Sequence, residues 1–225
     1  WSAITPVSST SMGGAGNVSS LTLTYPAGLV ADDILIAQVA IRGNLTITTV
    51  PAGWTLIDRG NNGSTLTQAV YWRRAGTTNP PSESWGFSGS GRAAGTLSAY
   101  RNVDPVAPIH AFSDTSNAAS ASVTAASLTP TAGGTYLVGL FAQAHGGADF
   151  TPPAGMTERQ DFATGANTNG LAVELADEAY AGGTAATGSR VATSSEAAAS
   201  IAHLVALQPN VIANYRMDET SWTGA

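Results

Sequence analysis

The sequence predicts an all-β protein, an antiparallel β-sandwich of jelly-roll-like type. Three observations lead there: apolar runs of strand length, turn-forming clusters between them, and a set of segments that occurs twice. Leu21-Thr22-Leu23-Thr24-Tyr25 alternates apolar and polar residues, as a half-buried strand does. Ile34 to Ile41 is almost continuously apolar, the pattern of a strand covered on both faces. Leu66 to Ala75 carries Val70, Tyr71 and Trp72; Trp85 and Phe87 alternate around Gly86; Leu97-Ser98-Ala99-Tyr100 closes the first half. The clusters Gly13-Gly14, Pro26-Ala27-Gly28, Gly60-Asn61-Asn62-Gly63, Asn79-Pro80-Pro81 and Gly89-Ser90-Gly91 read as turns. Glu196 to Leu207 is alanine-rich, which favours helix. It also runs Ala202-His203-Leu204-Val205-Ala206-Leu207, and its match to the first half makes it a strand.

The duplicated segments come in one order. Pro51-Ala52-Gly53-Trp54-Thr55 recurs as Pro153-Ala154-Gly155-Met156-Thr157, and Ile34-Leu35-Ile36-Ala37 as Tyr136-Leu137-Val138-Gly139. Ala69-Val70 lies over Ala172-Val173, and Leu97–Tyr100 over Leu204–Leu207, with offsets that grow as surface loops lengthen. The expectation is a duplicated sandwich over 1–210, in halves of 1–105 and 106–210 with about seven strands each. Val103-Asp104-Pro105-Val106-Ala107-Pro108 is a short, stiff crossing between them. Residues 211–225 depart from this composition and read as a linker or the start of a further domain.

Charged residues make up 11% of the 225, less than half the usual share of about 25%. The net charge is -6, and all nine basic residues are arginine. Arg73-Arg74 is the one adjacent basic pair, so the electrostatic footprint of a nucleic-acid binder is missing. No run approaches the ~20 apolar residues of a membrane-spanning helix. With no cysteine, disulfides, thiolate metal ligands and thiol catalysis drop out. The absence of lysine and the abundance of Ser, Thr, Gly and Asn suggest an extracellular or cell-surface protein, secreted and bacterial, or part of a virion. The start at Trp1 suggests that a leader or upstream segment has been removed.

The order Pro51-Ala52-Gly53-Trp54-Thr55-Leu56-Ile57, Tyr71-Trp72-Arg73-Arg74-Ala75, Ala99-Tyr100-Arg101-Asn102-Val103-Asp104-Pro105 and Pro153-Ala154-Gly155-Met156-Thr157-Glu158-Arg159 resembles a poorly characterised β-sandwich module. That module occurs in bacterial surface and secreted proteins and in phage structural proteins. The resemblance covers residues 15–209 and implies no catalytic residues. Tyr215-Arg216-Met217-Asp218-Glu219-Thr220-Ser221-Trp222-Thr223-Gly224 is similar to the opening of laminin-G/concanavalin-like domains.

No reaction is named by the residues. His110, His145 and His203 are far apart and in no ligand spacing. No G-x-S-x-G elbow occurs. Glu174 and Glu178 share a strand face, read as solvated. Asp32, Asp33 and Asp58 are the candidate oxygen ligands for calcium, which takes six to eight; no other cofactor is implied. Asp58 opens an oxygen-rich stretch, Asp58-Arg59-Gly60-Asn61-Asn62-Gly63, whose better reading is a hairpin turn. Trp72, Trp85 and Tyr71 are the candidate ligand-binding aromatics, able to stack on sugar rings. Trp54, matched by Met156, reads as a buried anchor. Tyr71 and Trp72 must point to opposite faces, so at least one belongs to the core.

The functional expectation is a non-enzymatic structural or adhesive module of an extracellular assembly, a filament or adhesin subunit. Its partners would be copies of itself or neighbouring surface domains, without nucleic acid or membrane insertion. The exposed edges of Ile34–Ile41 and Tyr136–Ala144 would be satisfied by strands from a neighbour, with segments 1–14 and 211–225 as donors. The alternatives are a polysaccharide-binding module of a secreted protein, and a phage tail or capsid-decoration protein.

Overall fold

The computed structural model describes residues 2–14 and 16–210. It is all-β. Strands β1 (Thr5–Gly13), β2 (Val18–Thr24), β3 (Ile34–Arg42), β4 (Ile47–Thr49), β5 (Thr55–Asn62), β6 (Leu66–Arg74), β7 (Ser82–Gly91) and β8 (Ala93–Arg101) are followed by β9 (Ile109–Ala125) and β10 (Tyr136–Gln143). Then come β11 (Phe150–Thr151), β12 (Thr157–Ala163), β13 (Ala172–Ala179) and β14 (Arg190–Leu207). The first large sheet has the order β1-β8-β3-β6-β5. The second has β9-β14-β10-β13-β12, with β11 also on β14, and a small third sheet has β2-β7-β4. All pairings are antiparallel.

The two large sheets pack face to face, and the continuous apolar runs lie at their centres. Along β3, Ile34, Ile36 and Ala40 enter the seam between the sheets, while Leu35, Ala37, Val39 and Ile41 enter an outer core under β2-β7-β4. Along β10, Tyr136, Val138, Leu140 and Ala142 face the seam, and Leu137 and Phe141 face a second outer core. Residues of both halves of the chain therefore share the same seam clusters. β3 is also paired on both sides, as is β10, so the expected exposed edges do not arise. Segment 1–14 is not a free donor either, because β1 already pairs with β8. The other expected donor, 211–225, lies outside the described residues.

The stretch 196–207 is strand, part of the long β14. Its first half pairs with the second half of β9 and with β11, and its second half pairs with the first half of β9 and with β10. Two reversals of expectation concern turns. Asp58 to Asn62 belong to β5, and the turn comes after them, at Gly63. Gly89-Ser90-Gly91 lies within β7.

The register also shifts one sequence match. Ile36 pairs with Trp72, and Val138 pairs with Asp177. Trp72 thus corresponds in position to Asp177, and Val70 to Leu175 rather than Val173. Tyr100 and Leu207 correspond as expected, paired to Ile34 and Tyr136.

Every arginine among the described residues donates to an oxygen. Arg73 pairs with Glu83, Arg74 with Asp32, Arg101 with Asp33, Arg159 with Asp177 and Arg190 with Glu178. Arg42 and Arg92 reach across to the carbonyls of Ala144 and Thr164, and Arg59 to that of Leu45.

A shared seam makes the two sheets one cooperative unit. Leu140→Ala, which hollows the seam, is expected to lower stability by about 2–5 kcal/mol. Urea unfolding followed by tryptophan fluorescence (Trp54, Trp72 and Trp85 all lie in the first half) should coincide with unfolding followed by far-UV circular dichroism.

Candidate functional site

Each edge of the seam carries a cleft, the larger at the more open edge between β5 and β9 and the smaller at the more closed edge between β1 and β12. At the more open edge β5 of the first sheet lies beside β9 of the second, and a groove of about 540 Å³ runs between them. Its walls include Leu56 and Ile57 from β5, Trp72 from β6, and Ile109, His110, Ala111 and Phe112 from β9. Ser127, Leu128 and Thr129 complete it. Leu56 is 51% exposed and Phe112 48% exposed, which is unusual for two large apolar residues sharing one groove.

Bulges set this geometry. The β5–β6 register slips between Leu56 and Asp58, and the β9–β14 register slips between Ile109 and Ala111. The extra residues, Ile57 and His110, are thereby re-aimed into the groove. His110 is held firmly. The Thr131 backbone N–H donates to its Nδ1 at 3.2 Å, and its Nε2 lies 3.1 Å from Thr135 Oγ1. Thr135 gives its own hydrogen to the Ala132 carbonyl, so it accepts from His110, and the ring carries its hydrogen on Nε2. Burial lowers the pKa of this histidine.

The more closed edge holds the same positions with different chemistry. There β1 lies beside β12, with the same bulges between Pro6 and Ser8 and between Glu158 and Gln160. The smaller cleft, about 280 Å³, is lined by Glu158 and Arg159 where the groove has Leu56 and Ile57, and by Asp177 where it has Trp72. Pro6, Val7, Ser8 and Ser9 stand where the groove has Ile109 to Phe112. Asp177 is buried, and it accepts from Tyr100 at 3.1 Å, Tyr136 at 3.0 Å and Arg159 at 2.9 Å. Burial pushes its pKa up, against the opposing pull of Arg159. Burial and the adjacent carboxylate push Tyr136 up to about 12. These groups satisfy one another and leave no reactive pair.

The expected site residues are scattered. Trp85 is fully buried and Tyr71 is 4% exposed, so neither can be a sugar platform. Both sit in the first outer core, Trp85 with its ring centroid 5.2 Å from Trp54 and 6.1 Å from Tyr71. Trp54 is a buried anchor: its Nε1 donates to Glu83, which also accepts from Tyr25 and Arg73. Trp72 alone of the three aromatics reaches a groove, half-buried. Asp33 is buried and accepts from Arg101 through both oxygens, at 2.9 and 2.8 Å. Asp32 accepts from Arg74 at 2.7 Å. Arginine thus engages both oxygens of Asp33 but only Oδ1 of Asp32, and the two carboxylates turn to different arginines. Asp58 lies apart from them, facing His203 and Asp114.

Glu174 is not on a solvated face. It is fully buried in the second outer core, and neither carboxyl oxygen has a hydrogen-bond partner. Glu178 pairs with Arg190. Desolvation, with Asp161 and Glu158 nearby, pushes Glu174 up to about 8. Asp161, opposite it on β12, is pushed up to about 6, first by burial.

Compared with family models, curated proteins and solved structures, the chain matches none.

Leu56, Ile57, His110 and Phe112 carry no local sequence signal. The signal was in the matched segments, where Leu56-Ile57 stands over Glu158-Arg159.

Glu174 gives a pH dependence. Its folded pKa lies above the ordinary value of 4.5, so its stabilising contribution is full below that value and is lost as pH rises toward about 8. The melting temperature is expected to fall between those limits. In Glu174→Gln that part of the fall should vanish, leaving the variant the more stable protein above pH 8.

Proposed function

We propose that the chain is a non-enzymatic adhesive module of an extracellular assembly, docking the apolar side chains of a neighbouring protein in the β5/β9 groove. One observation carries this reading. Equivalent positions at the two edges of the seam hold a self-satisfied charged cluster on one side and exposed apolar residues on the other. The fold is therefore compatible with a polar edge, and the apolar groove is a property of these residues, not a demand of the architecture. The groove lining carries no carboxylate, arginine or lysine, which favours an uncharged, largely apolar partner surface. The absence of lysine and the abundance of Ser, Thr, Gly and Asn support the extracellular setting, on a bacterial surface or a virion.

Strand donation is not the mode of assembly favoured here. β1, β5, β9 and β12, the outer strands of the two large sheets, each carry a bulge. Bulged edges resist the addition of a further strand. A filament of this module would instead be held by side chains packed into grooves.

A polysaccharide is the second reading, favoured by the one aromatic that reaches the groove. Trp72 stands there with His110, Ser127 and Thr129, a stacking surface beside hydrogen-bonding groups.

The double variant Leu56→Asp/Phe112→Asp separates these readings. Both residues are about half exposed, so melting should change little. Light scattering and electron microscopy of the wild type are expected to show concentration-dependent association that the variant loses. Wild-type monomers that bind a polysaccharide, with binding lost in Trp72→Ala, would favour the second reading and overturn the first.

A further inference from the structure

A polar junction lies elsewhere along the same seam. His203 on β14, Asp58 on β5 and Asp114 on β9 bring one nitrogen and two carboxylate oxygens within 4.8 Å of one another. His203 is fully buried, and its Nε2 has no direct hydrogen-bond partner. That nitrogen stands 3.6 Å from Asp58 Oδ2 and 4.0 Å from Asp114 Oδ1. Two acids and a histidine invite a metal ion, and the hydrogen bonds behind the ring decide whether it can take one.

Those bonds run in one direction. Thr96 Oγ1 donates to Gln38 Oε1 at 3.0 Å. Gln38 Nε2 donates to the Phe141 carbonyl at 2.8 Å and to Gln68 Oε1 at 3.3 Å. Gln68 Nε2 donates to the Leu140 carbonyl at 3.0 Å and lies 2.9 Å from His203 Nδ1. Carbonyl oxygens only accept, so Leu140 and Phe141 fix which end of each amide is the NH₂ group. The second hydrogen of Gln68 must then point at His203 Nδ1, which accepts it. The ring hydrogen is left on Nε2, facing the two carboxylates.

A metal ion needs the Nε2 lone pair, and here a hydrogen occupies that position. Ligands about 2.0–2.2 Å from a zinc ion at a tetrahedral angle stand about 3.3–3.6 Å apart. Groups about 2.8 Å from one water oxygen, set at a right angle or wider, stand about 4 Å apart or more. The 3.6 Å separation falls in the first range and the 4.0 Å separation in the second, so spacing alone does not choose between them and the position of the ring hydrogen does. A water oxygen accepts from the N–H, and its two hydrogens go one to each carboxylate, so every group is satisfied.

We propose that this junction holds a single structural water and not a metal ion, bridging His203 Nε2–H to Asp58 and Asp114 and so linking three strands from both sheets. Gly60 makes room for the Asp114 carboxylate. A Cβ there would come within 2.7 Å of Asp114 Oδ1 and 2.9 Å of Ile201, so glycine lets Asp114 reach its place.

The test uses the full chain. Long-range ¹⁵N–¹H correlation spectra report which ring nitrogen of His203 carries the hydrogen, and thermal melts with millimolar Zn²⁺, Mn²⁺ or Ca²⁺ report metal binding. A high-resolution crystal structure reports the solvent. The expected results are an Nε2–H ring, no metal-dependent rise in melting temperature, and one solvent oxygen within hydrogen-bonding distance of all three groups. A melting temperature raised by metal, with hydrogen on Nδ1, would make the junction a metal site and overturn the proposal. A ring bonded directly to either carboxylate, with no solvent between them, would overturn it as well.

Discussion

The apolar contact between the two large sheets is the constraint on which the rest of the molecule depends. It buries β3 and β10 on both faces, which is why these strands carry almost no polar side chains. It also requires each sheet to cover its other face separately. The first sheet does so with the small β2-β7-β4 sheet, and the second with the outer halves of β9 and β14. The layers differ in construction, yet both protect the outward-facing residues of a central strand.

Because the seam is apolar, its few polar residues have to be arranged in full. Gln38, Gln68, Thr96 and His203 are all buried in it, and backbone carbonyls set the direction of their bonds. At the more closed edge, Tyr100, Tyr136 and Arg159 do the same for Asp177. Not every buried polar atom finds a partner: Trp85 Nε1, Ser98 Oγ, Ser200 Oγ and both oxygens of Glu174 have none, and Glu174, the carboxylate among them, lies away from the seam, where its protonation must carry the cost of its position.

The parts of the fold legible in the sequence were those with a strong apolar pattern. Ile34–Ile41, Leu66–Ala75 and Leu97–Tyr100 are strands, and alanine-rich 196–207 is strand because its context overrides propensity. β9 was missed. It is rich in Ser, Ala and Thr and is half-exposed along most of its length, so no alternation marks it. Gly60 was misread as a turn residue, because a cross-sheet approach and a turn both select glycine. Among the candidate site residues only Trp72 reaches the groove, since adjacency on a strand cannot say which of Tyr71 and Trp72 faces the seam. The groove itself depends on register between distant strands. Only a comparison of the two matched segments, residue against residue, held that information.

The arginines have a chemical consequence for the outside of the molecule. Each one described is tied to an oxygen, a task suited to a planar guanidinium with five donors and poorly suited to an ammonium group. The chain contains no lysine at all. Its side chains therefore offer no primary amine for acylation, glycation or isopeptide linkage, and the same residues that brace the sandwich leave its surface inert to amine-directed chemistry.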